Sequence, residues 1–188
     1  AMAAKPTSGV NRFYLLLGLV ALIGGGALFL MTRRKPVSIP ANVVVTAADT
    51  SGFRGYILGS PDAPLEITEY ADYQCPACAS FETVQFPTIR ERLINTGRVR
   101  WRYRDFPLQI HRHARLSAHA AACADEQGKF WEMHRMIYDS QNDWAFMNNA
   151  AGHFSDLAKP IGLDVAKFDQ CMSDAKYAGR IQASYDEA

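Results

Sequence analysis

Charge of one sign is the first thing this chain lacks. Its 188 residues carry 20 Lys and Arg against 19 Asp and Glu, a formal net charge of +1. That balance gives no electrostatic case for a nucleic-acid partner. Cysteine is scarce as well: there are four, and Cys123 and Cys171 do not make a second C-x-x-C. The five histidines (His111, His113, His119, His134, His153) show no zinc-finger spacing. No internal repeat or low-complexity tract is present, which sets aside repeat architectures and compositional disorder. No strand-like run follows Arg104. What remains suffices for one packed domain with accessory segments, at 48% hydrophobic and 21% charged residues.

One uncharged run stands out, over residues 13–31. As a helix it would reach about 28 Å, close to the ~30 Å thickness of a bilayer core. It is long for the apolar part of a cleaved signal, and no clear small-x-small site precedes Arg33, so a single transmembrane anchor is expected. Two basic residues precede it (Lys5, Arg12) and three follow (Arg33, Arg34, Lys35), a weak bias toward a cytoplasmic C-terminal part. Cysteine usage points the other way, because stable disulfides belong outside the cytoplasm. The larger part is therefore expected on the extracytoplasmic side of a cell membrane. The division is a tail over 1–12, an anchor over 13–31, a linker over 32–52 and a domain over 53–188.

Within the domain, residues 53–58 suit a short strand and 59–64 a turn. Residues 65–70 alternate as a second strand. Residues 77–95 suit a helix, with Pro87 expected to kink or break it near Thr83. Residues 98–104 alternate cleanly, with Val99, Trp101 and Tyr103 on one face and four arginines on the other. That arginine face is expected to be solvated, with carboxylate neighbours. Strand, helix and strand within 65–104 make a βαβ unit with parallel strands. Helices are then expected over 111–127, 129–140, 150–159, from Asp164 toward 173, and over 175–185. A polar-aromatic loop is expected at 142–149, and His111 and His113 are expected at the surface.

Cys75-Pro76-Ala77-Cys78 lies where the second strand hands over to the helix. Two thiols at i and i+3 there can bond to each other and differ in reactivity. The first meets the unpaired N–H groups and positive end of the helix, which favour a thiolate. The second is one turn in and more shielded. C-x-x-C alone leaves redox chemistry and half of a zinc site both open.

Glu69-Tyr70-Ala71-Asp72-Tyr73-Gln74-Cys75-Pro76-Ala77-Cys78 and Tyr103-Arg104-Asp105-Phe106-Pro107-Leu108 together narrow the choice. With Gln127-Gly128-Lys129-Phe130-Trp131 and Gly162-Leu163-Asp164, the chain resembles the membrane-anchored DsbA-type branch of the thioredoxin superfamily. The resemblance implies an α/β, thioredoxin-like fold with a helical insertion from about residue 110, preceded by one transmembrane helix. It implies a protein thiol–disulfide oxidoreductase that oxidises cysteine pairs of exported proteins, with no cofactor beyond its own disulfide. Cys75 would be the exposed nucleophile and Cys78 the resolving thiol. Pro76 and Ala77 would tune the potential, and Glu69 would relay a proton beneath the site. Anchored relatives carry a second, non-catalytic pair, so Cys123 and Cys171 are expected to form a structural disulfide; no metal is expected. The implied partners are cysteine-containing substrates, a protein that regenerates the redox pair, and the bilayer through 13–31. A reductase or isomerase, or an anchored metal-binding or adaptor module, is the alternative. The family pattern continues with a cis-proline loop, a β-hairpin and a last helix; these are not found, and a C-terminally truncated fragment is expected.

Overall fold

The computed structural model describes residues 8–32, 37–41 and 43–188. Two compact units divide it, residues 1–35 and 36–188. In the first, a 25-residue helix runs over Ser8–Thr32. Its window Arg12–Phe29 is long and apolar enough to cross a membrane, and the side chains there are exposed. Residues 1–7, Arg33, Arg34, Lys35, Pro36 and Asn42, which bear on the tail, the charge count and the linker, lie outside the described residues.

The second unit is built on three strands in the order β1-β3-β2. β1 (Tyr56–Leu58) pairs antiparallel with β3 (Val99–Asp105), and β2 (Leu65–Ala71) pairs parallel with it. Alternation decides the faces: Val99, Trp101 and Tyr103 are buried. On the other face Glu66 holds Arg100 at 2.6 Å and Arg102 at 3.1 Å. Arg104 departs from the solvated face expected of it. It is buried, paired with Glu187 and set 5.6 Å over the Phe53 ring, because the Ala178–Glu187 helix covers that end of the strand. Gly55 has φ +103°, and a Cβ there would run into the Arg102 side chain and the Tyr103 carbonyl, so the chain can lie against β3 only with glycine.

From Pro76 the helix continues to Ile94, and the irregularity expected near Thr83 takes the form of a π turn instead of a break. It runs as Pro76–Ser80, a π turn Phe81–Gln85, Phe86–Ile89 and a second π turn Arg90–Ile94. Pro87 has no N–H for the Thr83 carbonyl and its ring crowds that oxygen. The wider turn relieves this: Phe86 N–H donates five residues back, to Phe81. Phe86, Ile94, Val99 and Trp101 form a small core between helix and sheet.

The larger core lies among helices Ala114–Asp125, Phe130–Asp139, Ala151–Ala158, Val165–Asp174 and Ala178–Glu187. Ala118, Ala120, Ala121, Ala122 and Ala124 are buried, so small side chains let the first of these helices pack closely. Three expectations are corrected. Residues 142–149 are not all loop: Gln141–Trp144 is a short helix, and fully buried Trp144 donates Nε1–H to the Ile137 carbonyl at 2.9 Å. Burying such a ring outweighs its polar neighbours in the sequence. His113 is buried and His111 half-buried, each held by a hydrogen bond. Residues 37–52 are more than a tether, since Ile39 is buried and Val37 and Val43 pack on the core. The capped Ala47–Thr50 turn meets the last helix at Gly179, where a Cβ would collide with the Asp49 carboxylate.

Candidate active site

Cys75 is the N-cap of its helix, with extended φ/ψ of −74° and 122°. Pro76 follows at the first helical position, where its missing N–H costs nothing. The turn before it is fixed from several sides. Cys75 N–H donates to the Asp72 carbonyl at 3.1 Å. The buried Asp72 carboxylate accepts from Gln74 N–H at 2.7 Å and Leu108 N–H at 2.9 Å, with His111 Nδ1 at 2.7 Å. Gln141 spans the turn, donating Nε2–H to the carbonyls of Tyr73 (2.7 Å) and Cys75 (3.1 Å). Gln74 ties it to the helical part through Ala145 O and His113 N–H. The two thiols are therefore displayed from a rigid corner.

Both thiols are half-buried. Burial pushes the Cys78 thiol up to about 12, and the neighbouring Cys75 adds to this. Ala77 and Cys78 share an open groove of about 410 Å³ with Glu69, Tyr70, Phe81 and Trp101. The structure thus brings Glu69, Ala77 and Cys78 to one place.

Glu69 accepts from Trp101 Nε1–H at 2.9 Å. Burial first, and then the charge of Glu82, push its carboxyl from the ordinary 4.5 to about 8. Glu82 lies close enough to Glu69 for each carboxyl to act on the other, and burial raises it to about 7. His134 Nε2 lies 3.2 Å from Glu82 Oε2 but makes no hydrogen bond to it, while Nδ1 meets Tyr73 OH at 2.8 Å. Because burial lowers His134 to about 4, this close approach involves a neutral imidazole and is no ion pair at neutral pH.

Glu82, His134 and Gln141 were given no role in the sequence, and Asp72 stood only within the quoted motif, three residues before Cys75. Glu82 has a local signal too: it is four residues after Cys78, one turn along the same helix face. His134 and Gln141 come from distant segments.

Cys123 and Cys171 are bonded to each other in the helical core, between Ala114–Asp125 and Val165–Asp174. His119 approaches them, with Nδ1 3.4 Å from Cys123 Sγ and from Met172 Sδ, and its Nε2 accepts from Tyr177 N–H at 3.0 Å. These three donors could outline a metal site, but two sulfurs bonded to each other offer no thiolate ligand.

The model of a family described as thioredoxin matches residues 53–188. Among curated relatives, the Na(+)/H(+) antiporter NhaA 3 of Salinispora tropica is 35% identical over 136 residues, covering 72% of this chain and 20% of the antiporter. Disulfide bond formation protein D of Bacillus subtilis is 32% identical over 108 residues, covering 55% of this chain and 47% of that protein. The crystal structure of Wolbachia pipientis α-DsbA1 superposes with a TM-score of 0.63 at 28% identity, over 70% of this chain and 66% of that one. The chain thus spans a fifth of the antiporter it matches and about half of the disulfide-forming relative.

Proposed function

The chain belongs to the thioredoxin family, on its DsbA-like side, and from that premise we propose that it is a thiol–disulfide oxidoreductase that oxidises cysteine pairs of exported proteins. One observation carries the reading: a helix-capping cysteine and a desolvated one share a corner with a carboxyl group able to give and take a proton near neutral pH.

In the oxidised protein a substrate thiolate attacks Cys75 Sγ. The Cys75–Cys78 bond breaks and its electron pair goes to Cys78. A thiol with a pKa of about 12 is a poor leaving group as a thiolate, so it must receive a proton as it leaves. Glu69, protonated up to about pH 8, is the nearby donor. A second substrate thiolate then attacks the substrate sulfur of the mixed disulfide, and Cys75 leaves with the electron pair. The charge on Cys75 lies at the positive end of the helix. The substrate loses two electrons, and the pair holds them with Cys75 as the thiolate and Cys78 as the thiol. Pro76 holds Cys75 at the first turn, and Ala77 leaves the groove open beside Cys78. Their identities tune the potential.

A protein that removes those two electrons completes the cycle. The Ser8–Thr32 helix supports tethering to a bilayer, with the redox domain on the extracytoplasmic side, where Cys123–Cys171 would persist. The deciding experiment measures oxidation of a reduced test protein by wild type and by Cys75→Ser. Loss of activity in the variant is expected; an unchanged rate would overturn the assignment. A reduction potential well above that of the cytosolic thiol pool supports the oxidising direction. A potential below it makes the protein a reductase.

A further inference from the structure

We propose that Arg112 and Arg115 form an anion-binding subsite beside Cys75, which selects substrate cysteines that carry Asp or Glu a few residues away in the same polypeptide. The proposal rests on the exchange reading and names the substrate class it serves.

The arginines of β3 are neutralised. Glu66 holds Arg100 and Arg102, and Glu187 holds Arg104. Arg112 and Arg115 differ. Each is fixed by a neutral group, and among the described residues neither has a carboxylate within ion-pair distance. Arg112 Nη2–H donates to the Asn148 carbonyl at 2.7 Å, and Arg115 Nη2–H donates to Gln182 Oε1 at 2.7 Å. The Arg115 guanidinium also lies 5.9 Å over the Tyr185 ring, and its buried Nη1 has no hydrogen-bond partner among the described residues. Two guanidinium groups held in place without a counter-charge attract an anion, and their planar forks match a carboxylate.

Both arginines line one cavity of about 570 Å³, within the ~300–1,000 Å³ range of ligand pockets. Val37, Ile39 and Leu116 make part of its wall apolar, which lowers the local dielectric and strengthens a charge pair formed there. The other charged and titratable groups nearby are already engaged. Asp72 is held by Gln74 N–H, Leu108 N–H and His111, and His113 Nε2 lies 2.7 Å from the Met147 carbonyl. Asp186 acts on Arg115 from beyond ion-pair distance and is held by Gln182 Nε2–H at 2.7 Å. The positive charge of the cavity is therefore left for a ligand.

The place of the cavity decides which ligand. Its wall over residues 107–113 is bound to the cysteine turn at three points. Leu108 N–H and His111 Nδ1 meet the Asp72 carboxylate, and His113 N–H donates to Gln74 Oε1 at 2.6 Å. Asp72 in turn accepts Cys75 N–H through its carbonyl. Cysteine and cavity are two sides of one clamp, at a fixed separation. The molecule held beside the cavity during exchange is the polypeptide joined to Cys75, and the anionic side chains of a polypeptide are Asp and Glu. An extended chain advances ~3.3 Å per residue, so four residues carry a carboxylate ~13 Å from the joined sulfur.

The test uses the full chain in its oxidised form and reduced peptides with one cysteine. Two glutamates are placed one, three, five or seven residues from the cysteine, on either side, and a glutamine peptide matches each. The peptide thiolate attacks Cys75 Sγ, the mixed disulfide forms, and Cys78 takes the electron pair of the broken bond. The rate of this step is measured at low and high salt. It is divided by the same peptide's rate with a small uncharged disulfide, which removes the effect of the glutamates on thiol reactivity. The readout is the glutamate-to-glutamine ratio within each protein, so any loss of folded material cancels.

Wild type is expected to favour glutamate about fivefold or more at one best spacing, with the ratio falling toward one in high salt. Arg112→Gln and Arg115→Gln should each lower the ratio, Arg115→Lys should keep part of it, and Arg112→Glu combined with Arg115→Glu should invert it. A wild-type ratio of one at every spacing would overturn the proposal, as would an undiminished ratio in both glutamine variants. A preference equal at every spacing would also overturn it, because it would report the field of the whole domain and not a site. In each of these cases the exchange reading stands. If no peptide of either kind opens the Cys75–Cys78 bond of wild type, the exchange reading falls, and the proposal with it.

Discussion

The molecule holds two cysteine pairs whose surroundings could hardly differ more. Cys75 and Cys78 are two residues apart from adjacency, at the open end of a helix, half-buried and beside a groove. Cys123 and Cys171 are 48 positions apart, buried among helices and bonded. A bond across three positions closes almost no loop and so constrains the unfolded chain little, whereas one across 48 constrains it strongly. Access and a proton source make the first pair suited to chemistry. Burial and loop length make the second suited to holding helices together. The sulfur is the same, and its neighbours assign the work.

The sharpest way to break that contrast is to swap the expected losses. Cys75→Ser should lower the oxidation rate of a reduced test protein by roughly three orders of magnitude or more, while leaving the thermal midpoint almost unchanged. Replacing both Cys123 and Cys171 by alanine should do the reverse. Chemical denaturation should show a loss of about 4 kcal/mol, with the exchange rate per folded molecule retained. If that double variant instead lost exchange without losing stability, the division of labour would be wrong.

A finer separation comes from pH. Glu69 has its carboxyl raised from 4.5 to about 8, so folding favours its protonated form. Its contribution is fully present below about pH 4.5 and is lost as pH rises toward about 8. Wild type should therefore lose on the order of 2–4 kcal/mol more than Glu69→Gln over that window, read from denaturation at several pH values. No such difference between the proteins would mean that Glu69 ionises freely. The smallest effect is expected at Gln141→Ala. Losing its two bonds to the Tyr73 and Cys75 carbonyls should cost about 1–2 kcal/mol and raise hydrogen exchange at residues 73–75, with no matching change at Cys123.

Much of the frame was legible in the residues. Alternation at 65–70 and 98–104 marked the parallel pair, which the structure forms as Leu65–Ala71 and Val99–Asp105, and the helix start at the cysteine motif followed the first of these strands. Asp164 was legible as the start of a helix, and its side chain caps it by accepting from the N–H groups of Ala166 and Lys167. The errors share a cause. Trp144 sits among polar residues, Arg104 in an alternating arginine row, and His113 beside a charged turn. Each was judged by its sequence neighbours, yet each is buried by an element from elsewhere in the chain. Pro87 was read correctly as to place, since the ladder is disturbed over Thr83; that the disturbance is a widened turn and not a break is what composition does not announce.

By itself, then, the sequence determined the membrane-length helix, the strand–helix junction that displays Cys75 and Cys78, and the helical run that follows. These depend on periodicity and on the few residues that start or stop an element, both of which are local. Only the tertiary structure decided that Glu82 lies near enough to Glu69 to act on its carboxyl, that Gln141 and Asp72 clamp the cysteine turn, and that Cys171 reaches Cys123. Those contacts depend on which faces meet. The pKa values that make the site capable of proton transfer depend on burial, which no single segment carries.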